Sequence, residues 1–289
     1  MTRMKCLALA AAAALATSGV AGAATTAINP TPHTTEINLN VALALAIARA
    51  QSNTNVALVD ITGSFGTLGA LSGTLTGSVS IPSLSLTYNY QLVRVSDNPL
   101  GPALNIDGSN YTTATDQIWQ DGTISFVATA RYAGAALTSF GIRVGNTGTE
   151  TVNPILTATS NALGTPTTFG PVAAPGQFTL QAQSTGSGSE SFSSLESVNS
   201  LGFNSVTAQQ VRDQFVTFAL LLETSPSVYT FDSFLVAFED RRSSDYDFND
   251  LIVQLRGPGA GAEIPLPSAA LAGSALLGGI LLRRRVLSA

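Results

Sequence analysis

Charged residues are scarce in this chain. Of its 289 residues only 11% are charged, against roughly a quarter in an ordinary soluble domain. Lys5 is the only lysine, Cys6 the only cysteine and His33 the only histidine. Each scarcity removes chemistry. With a single histidine, in the stretch TPHTT, there is no metalloprotease motif and little prospect of a Ser-His-Asp arrangement. What replaces charge is a 45% apolar share and a polar share made mostly of Ser, Thr, Asn and Gly, the profile of an all-β surface protein.

The two ends account for several of these singletons. MTRMK is a short basic start, CLALAAAAALA an apolar core, and VAGAA puts Ala21 and Ala23 at the small-residue positions before a cut. Residues 1–23 therefore read as a secretory signal peptide. Cys6 stands at the beginning of the apolar run, where a lipid anchor would need it at the end. The mature body then holds neither Cys nor Lys. That excludes disulfides, a phosphate-binding lysine loop and a Schiff-base site.

At the other end, residues 263–289 run EIPLPSAALAGSALLGGILLRRRVLSA. The uncharged stretch from Ser268 to Leu282 would make a short hydrophobic helix of roughly 22 Å, less than the ~30 Å of a bilayer core. It can still insert transiently if Leu266 joins it and Arg283, Arg284 and Arg285 snorkel, with the arginines on the cytoplasmic side. The order Pro265-Leu266-Pro267, apolar helix, arginine cluster, chain end resembles the PEP-CTERM sorting signal in its VPLPA-like variant. Here Ile264 stands for Val, Ser268 for Ala, and four residues follow the arginines. The resemblance implies export in a Gram-negative bacterium and processing by an exosortase-like membrane enzyme. It also implies localisation to the cell envelope or outside it, anchored through the tail before processing, beside exopolysaccharide or biofilm systems.

Residues 24–262 are long enough for one large or two small β domains. Setting aside Arg3, Lys5, Glu263 and the three tail arginines leaves eight basic residues against 17 acidic ones, a net of −9, so nucleic acid is excluded as a partner. Period-two patterns dominate. INLNVALALAIAR places Ile37, Leu39, Val41, Leu43, Leu45 and Ile47 on one face and predicts a half-buried strand, though its alanines leave a helix open. TISFVATARY, LTSFGIRVGN, QFTLQAQ, FVTFALLLE and SFLVAFED read as further strands. The expected fold is an all-β, jelly-roll-like sandwich. TAQQVRDQF, with Thr207 and Gln210 as a capping box, is the best helical candidate. STGSGSESFSSLES reads as a loop. Trp119 reads as a core or loop anchor, and Asp97, Asp107, Asp116 and Asp121 as turn formers too widely spread to make a site.

The densest chemistry lies between residues 239 and 250, with five acids and two arginines for a net of −3. SFLVAFED should place Phe234, Val236 and Phe238 on one face, and NDLIVQL should place Leu251, Val253 and Leu255 inward, as the two strands of a hairpin. Glu239 and Asp240 then stand at one shoulder, Asn249 and Asp250 at the other, with Asp245 and Asp247 in the connection. Crowded carboxylates repel unless a cation or arginines compensate. Calcium suits them, since it takes six to eight oxygens in flexible geometry and Asp245, Asp247 and Asn249 alternate as in calcium loops. An EF-hand is excluded by Asp250 where Gly belongs and Arg256 where Glu belongs. Turn chemistry, with Arg241 and Arg242 pairing the acids, and a catalytic carboxylate pair are the alternatives. As residues of the connection and not of the inward face, Asp247 and Asn249 should be replaceable with weaker calcium binding and the fold intact in excess calcium. AFED, a polar gap, DYDFND and an apolar strand resemble the C-terminal signature of a β-rich family of secreted bacterial proteins of unassigned function. That resemblance implies a role for Glu239, Asp240, Asp247, Asn249 and Asp250.

Three function classes follow. The first is an exported, non-enzymatic cell-envelope or matrix protein stabilised by calcium, with no catalytic residue. The second is a module binding extracellular polysaccharide, which needs Trp119, Tyr88, Tyr90 and Tyr111 on one exposed face. The third is a carboxylate-only hydrolase, which needs two acids facing each other across a cleft.

Overall fold

The computed structural model describes residues 28, 37–66, 74–131, 137–157, 167–184, 190–204, 209–240, 243–244 and 246–257. The signal peptide, the 263–289 tail, Thr207, Arg241, Arg242 and Asp245 lie outside these residues. Among the described residues no helix is long and apolar enough to cross a membrane. The elements are α1 (Leu39–Ser52), β1 (Thr62–Ser64), β2 (Thr74–Ile81), β3 (Leu86–Arg94), β4 (Ala103–Asn105), β5 (Thr115–Arg131), β6 (Leu137–Val144), β7 (Val152–Thr157) and β8 (Thr167–Ser184). They continue with β9 (Glu190–Ser193), β10 (Gly202–Asn204), β11 (Gln209–Val211), β12 (Phe215–Ser225), β13 (Val228–Phe238), β14 (Ser243–Ser244) and β15 (Leu251–Arg256).

The protein is predominantly β and sandwich-like, and both layers come from one continuous sheet. Its path runs β1-β2-β3-β12-β13-β15-β5-β8-β6-β7, with β4 beside β5 and β9 beside β8. The register Phe234↔Leu255↔Phe126 puts Phe126 of β5 in the row of Phe234. Trp119 precedes Phe126 by seven residues, about 23 Å along a flat strand. Yet the Trp119 and Phe234 rings stand edge to face at 5.1 Å. Strand β5 must therefore turn back over the sheet, and β8 turns with it. Register shifts between Gln120 and Gly122 and between Ile124 and Phe126 mark the turn. On β8, Pro175 and Gly176 are left between the partners of those two positions. Gly176 has φ +79°, a left-handed conformation that glycine adopts without a Cβ penalty.

Folding the sheet over creates an inner core. Trp119, Phe140, Phe178 and Phe192 from one layer meet Phe215, Phe234, Val236, Phe238, Leu251, Val253 and Leu255 from the other. The inward faces expected for the last hairpin are those observed. The outer face of the same strands is buried too. Val216, Phe218, Leu220, Leu235, Ala237 and Ile252 lie under α1. Coverage on both sides explains why FVTFALL carries no polar alternation apart from Thr217.

The strand expected over residues 37–49 is instead helix α1. Alanines at every second position look like the small face of a strand, but alanine is also the strongest helix former. Ala42 to Ala48 are completely buried, so the segment is apolar all round, as a fully buried helix is. Asn53 ends it in the left-handed region, its N–H donating to the Arg49 carbonyl, a standard helix stop. The helix expected over TAQQVRDQF is likewise corrected. Gln209–Val211 pairs antiparallel with Gly202–Asn204, since a nine-residue helix has little stability of its own. Within STGSGSESFSSLES, Glu190–Ser193 is a strand against β8.

Trp119 is fully buried between Phe178 and Phe234. Trp119→Ala should therefore cost about 3–5 kcal/mol of stability, read from the midpoint of urea unfolding.

Candidate metal centre

The antiparallel register of the last hairpin builds the site. Phe238 at the end of β13 pairs with Leu251 at the start of β15, so Glu239 and Asp240 come opposite Asp250. The Asp240 N–H donates to Asp250 Oδ2 at 2.7 Å, and the Glu239 N–H donates to the Gln214 carbonyl at 3.0 Å. One ligand oxygen from each of Glu239, Asp240 and Asp250 lies within 4.8 Å of the others. The three residues are only 1%, 3% and 5% exposed.

Burial pushes the Asp250 carboxyl well above its ordinary range, and the charges of Glu239 and Asp240 push it further. The Asp240 N–H acts against this, while a hydrogen bond with the Glu239 side chain adds to it. Buried carboxylates brought together are costly unless a proton or a cation enters among them. Hard oxygen donors of this kind fit calcium.

The connection returning to β15 is not a surface loop. Tyr246 and Phe248 are both left-handed, each at φ 55°, which costs a non-glycine residue on the order of 1–2 kcal/mol. Both rings are completely buried in the outer core and meet edge to face at 5.9 Å. The Tyr246 hydroxyl accepts from Gln214 Nε2 at 2.8 Å. Alternating with these rings, Asp247 and Asn249 point elsewhere and are equally buried, at 2% and 0% exposed. Asn249 Nδ2 donates to Asp247 Oδ2 at 2.7 Å and to the Ile37 carbonyl at 2.8 Å, just ahead of α1. Its Oδ1 is buried with no hydrogen-bond partner among the described residues.

Of the six residues expected to form the site, Glu239, Asp240 and Asp250 converge. Asp247 and Asn249 form an adjoining pair that reaches to the helix, and Asp245 lies outside the described residues. The expectation that Asp247 and Asn249 are replaceable loop residues is corrected by their burial.

Sequence reasoning missed a second group of acids. Asp97 and Asp116, taken for dispersed turn formers, are 2% and 4% exposed and gather with Asp213 and Glu196. Arg94 Nη2 pairs with Asp97 Oδ2 at 2.8 Å. Gln117 Nε2 donates to the Asp97 carbonyl at 2.8 Å and to Glu196 Oε1 at 3.0 Å. No spacing could have revealed a group assembled from residues 94 to 213. Asp107 does serve its own turn, accepting from the Ser109 N–H at 2.8 Å.

The aromatic platform needed for polysaccharide does not form. Trp119 is buried in the inner core and Tyr90 in the outer one. Tyr88 packs on the outer core, and Tyr111 stacks with Phe231 against the inner core. Compared with protein-family models, curated proteins and solved structures, the chain matches none of them.

Asn249→Ala removes the donor to the Ile37 carbonyl and should cost about 1–3 kcal/mol. Urea unfolding would measure the loss, and amide exchange over residues 39–52 should accelerate with it.

Proposed function

We propose that this chain is an exported, non-enzymatic cell-envelope or extracellular-matrix protein whose final hairpin is locked by calcium at Glu239, Asp240 and Asp250. The observation that carries the reading is the convergence of three buried carboxyl groups within 4.8 Å. Oxygens so close and so enclosed leave no space for a sugar ring between them, which argues against a glycosidase pair. They suit an ion that binds only the folded state. A body without cysteine has no disulfide to close it, and a buried ion supplies a comparable tie between chain segments. The signal peptide and the PEP-CTERM-like tail support the export half of the reading, with an exosortase-like enzyme as the processing partner.

Thermal unfolding of the purified chain tests the calcium half. At about 100 times its dissociation constant, calcium adds roughly 2.7 kcal/mol, a rise in Tm of roughly 5–10 °C for a domain of this size. Asp250→Asn separates the ion from the bare acids. In chelator the variant should melt above wild type, because one buried carboxyl is gone. In millimolar calcium it should melt below wild type. The same Tm for wild type in chelator and in calcium would overturn the reading. Mass spectrometry of envelope and secreted fractions tests export, with a chain beginning near Ala24 expected there and an intact cytoplasmic chain counting against it.

A further inference from the structure

The second acidic group lies at the same end of the sheet as the candidate metal centre: Asp213 precedes Gln214, whose carbonyl accepts from the Glu239 N–H. Phe215 and Ala219 belong to the inner core, Val216 and Phe218 to the outer. Thr217 shares the inner face, with its hydroxyl beside Asp116. Four chain segments meet there: Arg94 and Asp97 at the end of β3, Asp116 and Gln117 in β5, Glu196 after β9, and Arg212 with Asp213 before β12. Four carboxyl groups face two guanidiniums. Arg94 is engaged by Asp97, and Arg212 Nη1 donates to the Asn199 carbonyl at 3.3 Å.

The hydrogen bonds show what this group lacks. Asp213 Oδ1 accepts from the Phe215 N–H at 2.9 Å, but Asp213 Oδ2 is buried with no hydrogen-bond partner among the described residues, and the buried Asp116 carboxyl has the Thr217 hydroxyl beside it as its side-chain donor. Carboxyl groups at 4% exposure each call for added positive charge or added donors. A metal ion would need converging oxygens. Among the described residues, Glu239, Asp240 and Asp250 are the group that brings three such atoms together. A proton needs no convergence. Placed on Asp116, it removes a buried charge that Arg94 and the Thr217 hydroxyl offset only in part.

We propose that this group is a proton-gated joint. With Asp116 and Asp213 protonated it clamps the four segments together. Loss of those protons opens this end of the sandwich while the outer core under α1 stays closed. Burial first, then the charges of Asp97 and Asp213, hold the Asp116 carboxyl well above its ordinary range, against Arg94 and the Thr217 hydroxyl, which favour its ionised form. Burial and Asp97 do the same for Asp213 and bring Glu196 to about 7, with Arg212 and Arg94 pulling Glu196 the other way. Burial raises Tyr246 to about 12, with Glu239, Asp213 and Glu190 adding to the rise and the Gln214 hydrogen bond opposing it, so the phenol stays neutral. Unfolded acids ionise near pH 4. The raised folded values therefore stabilise fully below about pH 4, and that stability is lost as pH rises through them.

The test uses the full-length chain and Asp116→Asn, in saturating calcium so that Asp250 is held constant. Thermal unfolding and hydrogen exchange, corrected for the intrinsic pH dependence of exchange, are followed from pH 5 to 9. Each proton kept by the folded form and lost by the unfolded chain weakens folding about tenfold per pH unit. Wild-type Tm should fall progressively from pH 5 upward, with residues 94–117 and 194–214 losing protection before residues 39–52. Asp116→Asn, which keeps a donor but cannot ionise, should show a flatter profile. Equal pH slopes for the two chains, or even loss of protection across both regions, overturns the proposal. If the variant does not fold, the wild-type exchange decides, and full protection of 94–117 at pH 9 overturns it. Calcium protecting 94–117 in an Asp250→Asn chain would assign the group a cation and equally overturn it.

Discussion

The pairing of Phe238 with Leu251 is the constraint from which the rest of the molecule follows. It aligns β13 with β15 so that Phe234, Val236 and Phe238 share a face with Leu251, Val253 and Leu255. Slipping the register by one residue would send these side chains to the other face, where α1 already covers Leu235, Ala237 and Ile252. Both faces being apolar and covered, such a slip is not ruled out by hydrophobicity alone. The hairpin ends supply what apolar packing lacks. Only this register puts the Asp240 N–H on Asp250 and brings Glu239 and Asp250 together, and the Asn249 amide then ties the connection to the chain ahead of α1.

One end of the sheet consequently concentrates two groups of buried acids. Glu239, Asp240 and Asp250 converge and suit a cation. Asp97, Asp116, Glu196 and Asp213 are spread around Arg94 and suit protons. Both arrangements answer the same electrostatic cost, which rises as water is removed. A chain with so few basic residues has little else to neutralise buried carboxylates. The left-handed Tyr246 and Phe248 belong to the same account: their rings fill the outer core under α1, while Asn249, between them and β15, ties the connection to Ile37.

Local pattern was a good guide where it had only one reading. The alternation in SFLVAFED and NDLIVQL, and the acids at their shoulders, were enough to anticipate the hairpin, its inward residues and three of the site carboxylates. Pattern failed where two structures share a period. LNVALALAIAR satisfies both a strand with an alanine face and a helix buried all round, and only its packing on the sheet's outer face chooses the helix. It failed also where stability is borrowed from a neighbour, as when Gln209–Val211 pairs with Gly202–Asn204 instead of coiling.

What the sequence determined by itself is therefore the all-β character, the last hairpin and the crowding of charge between 239 and 250, because each depends on residues near one another in the chain. The tertiary structure alone decided that β5 and β8 fold one sheet into two layers, and that Asp247 and Asn249 are buried. It alone brought Asp97, Asp116, Glu196 and Asp213 together. Those outcomes depend on which distant segments exclude water from which side chains, and that is settled only when the layers close.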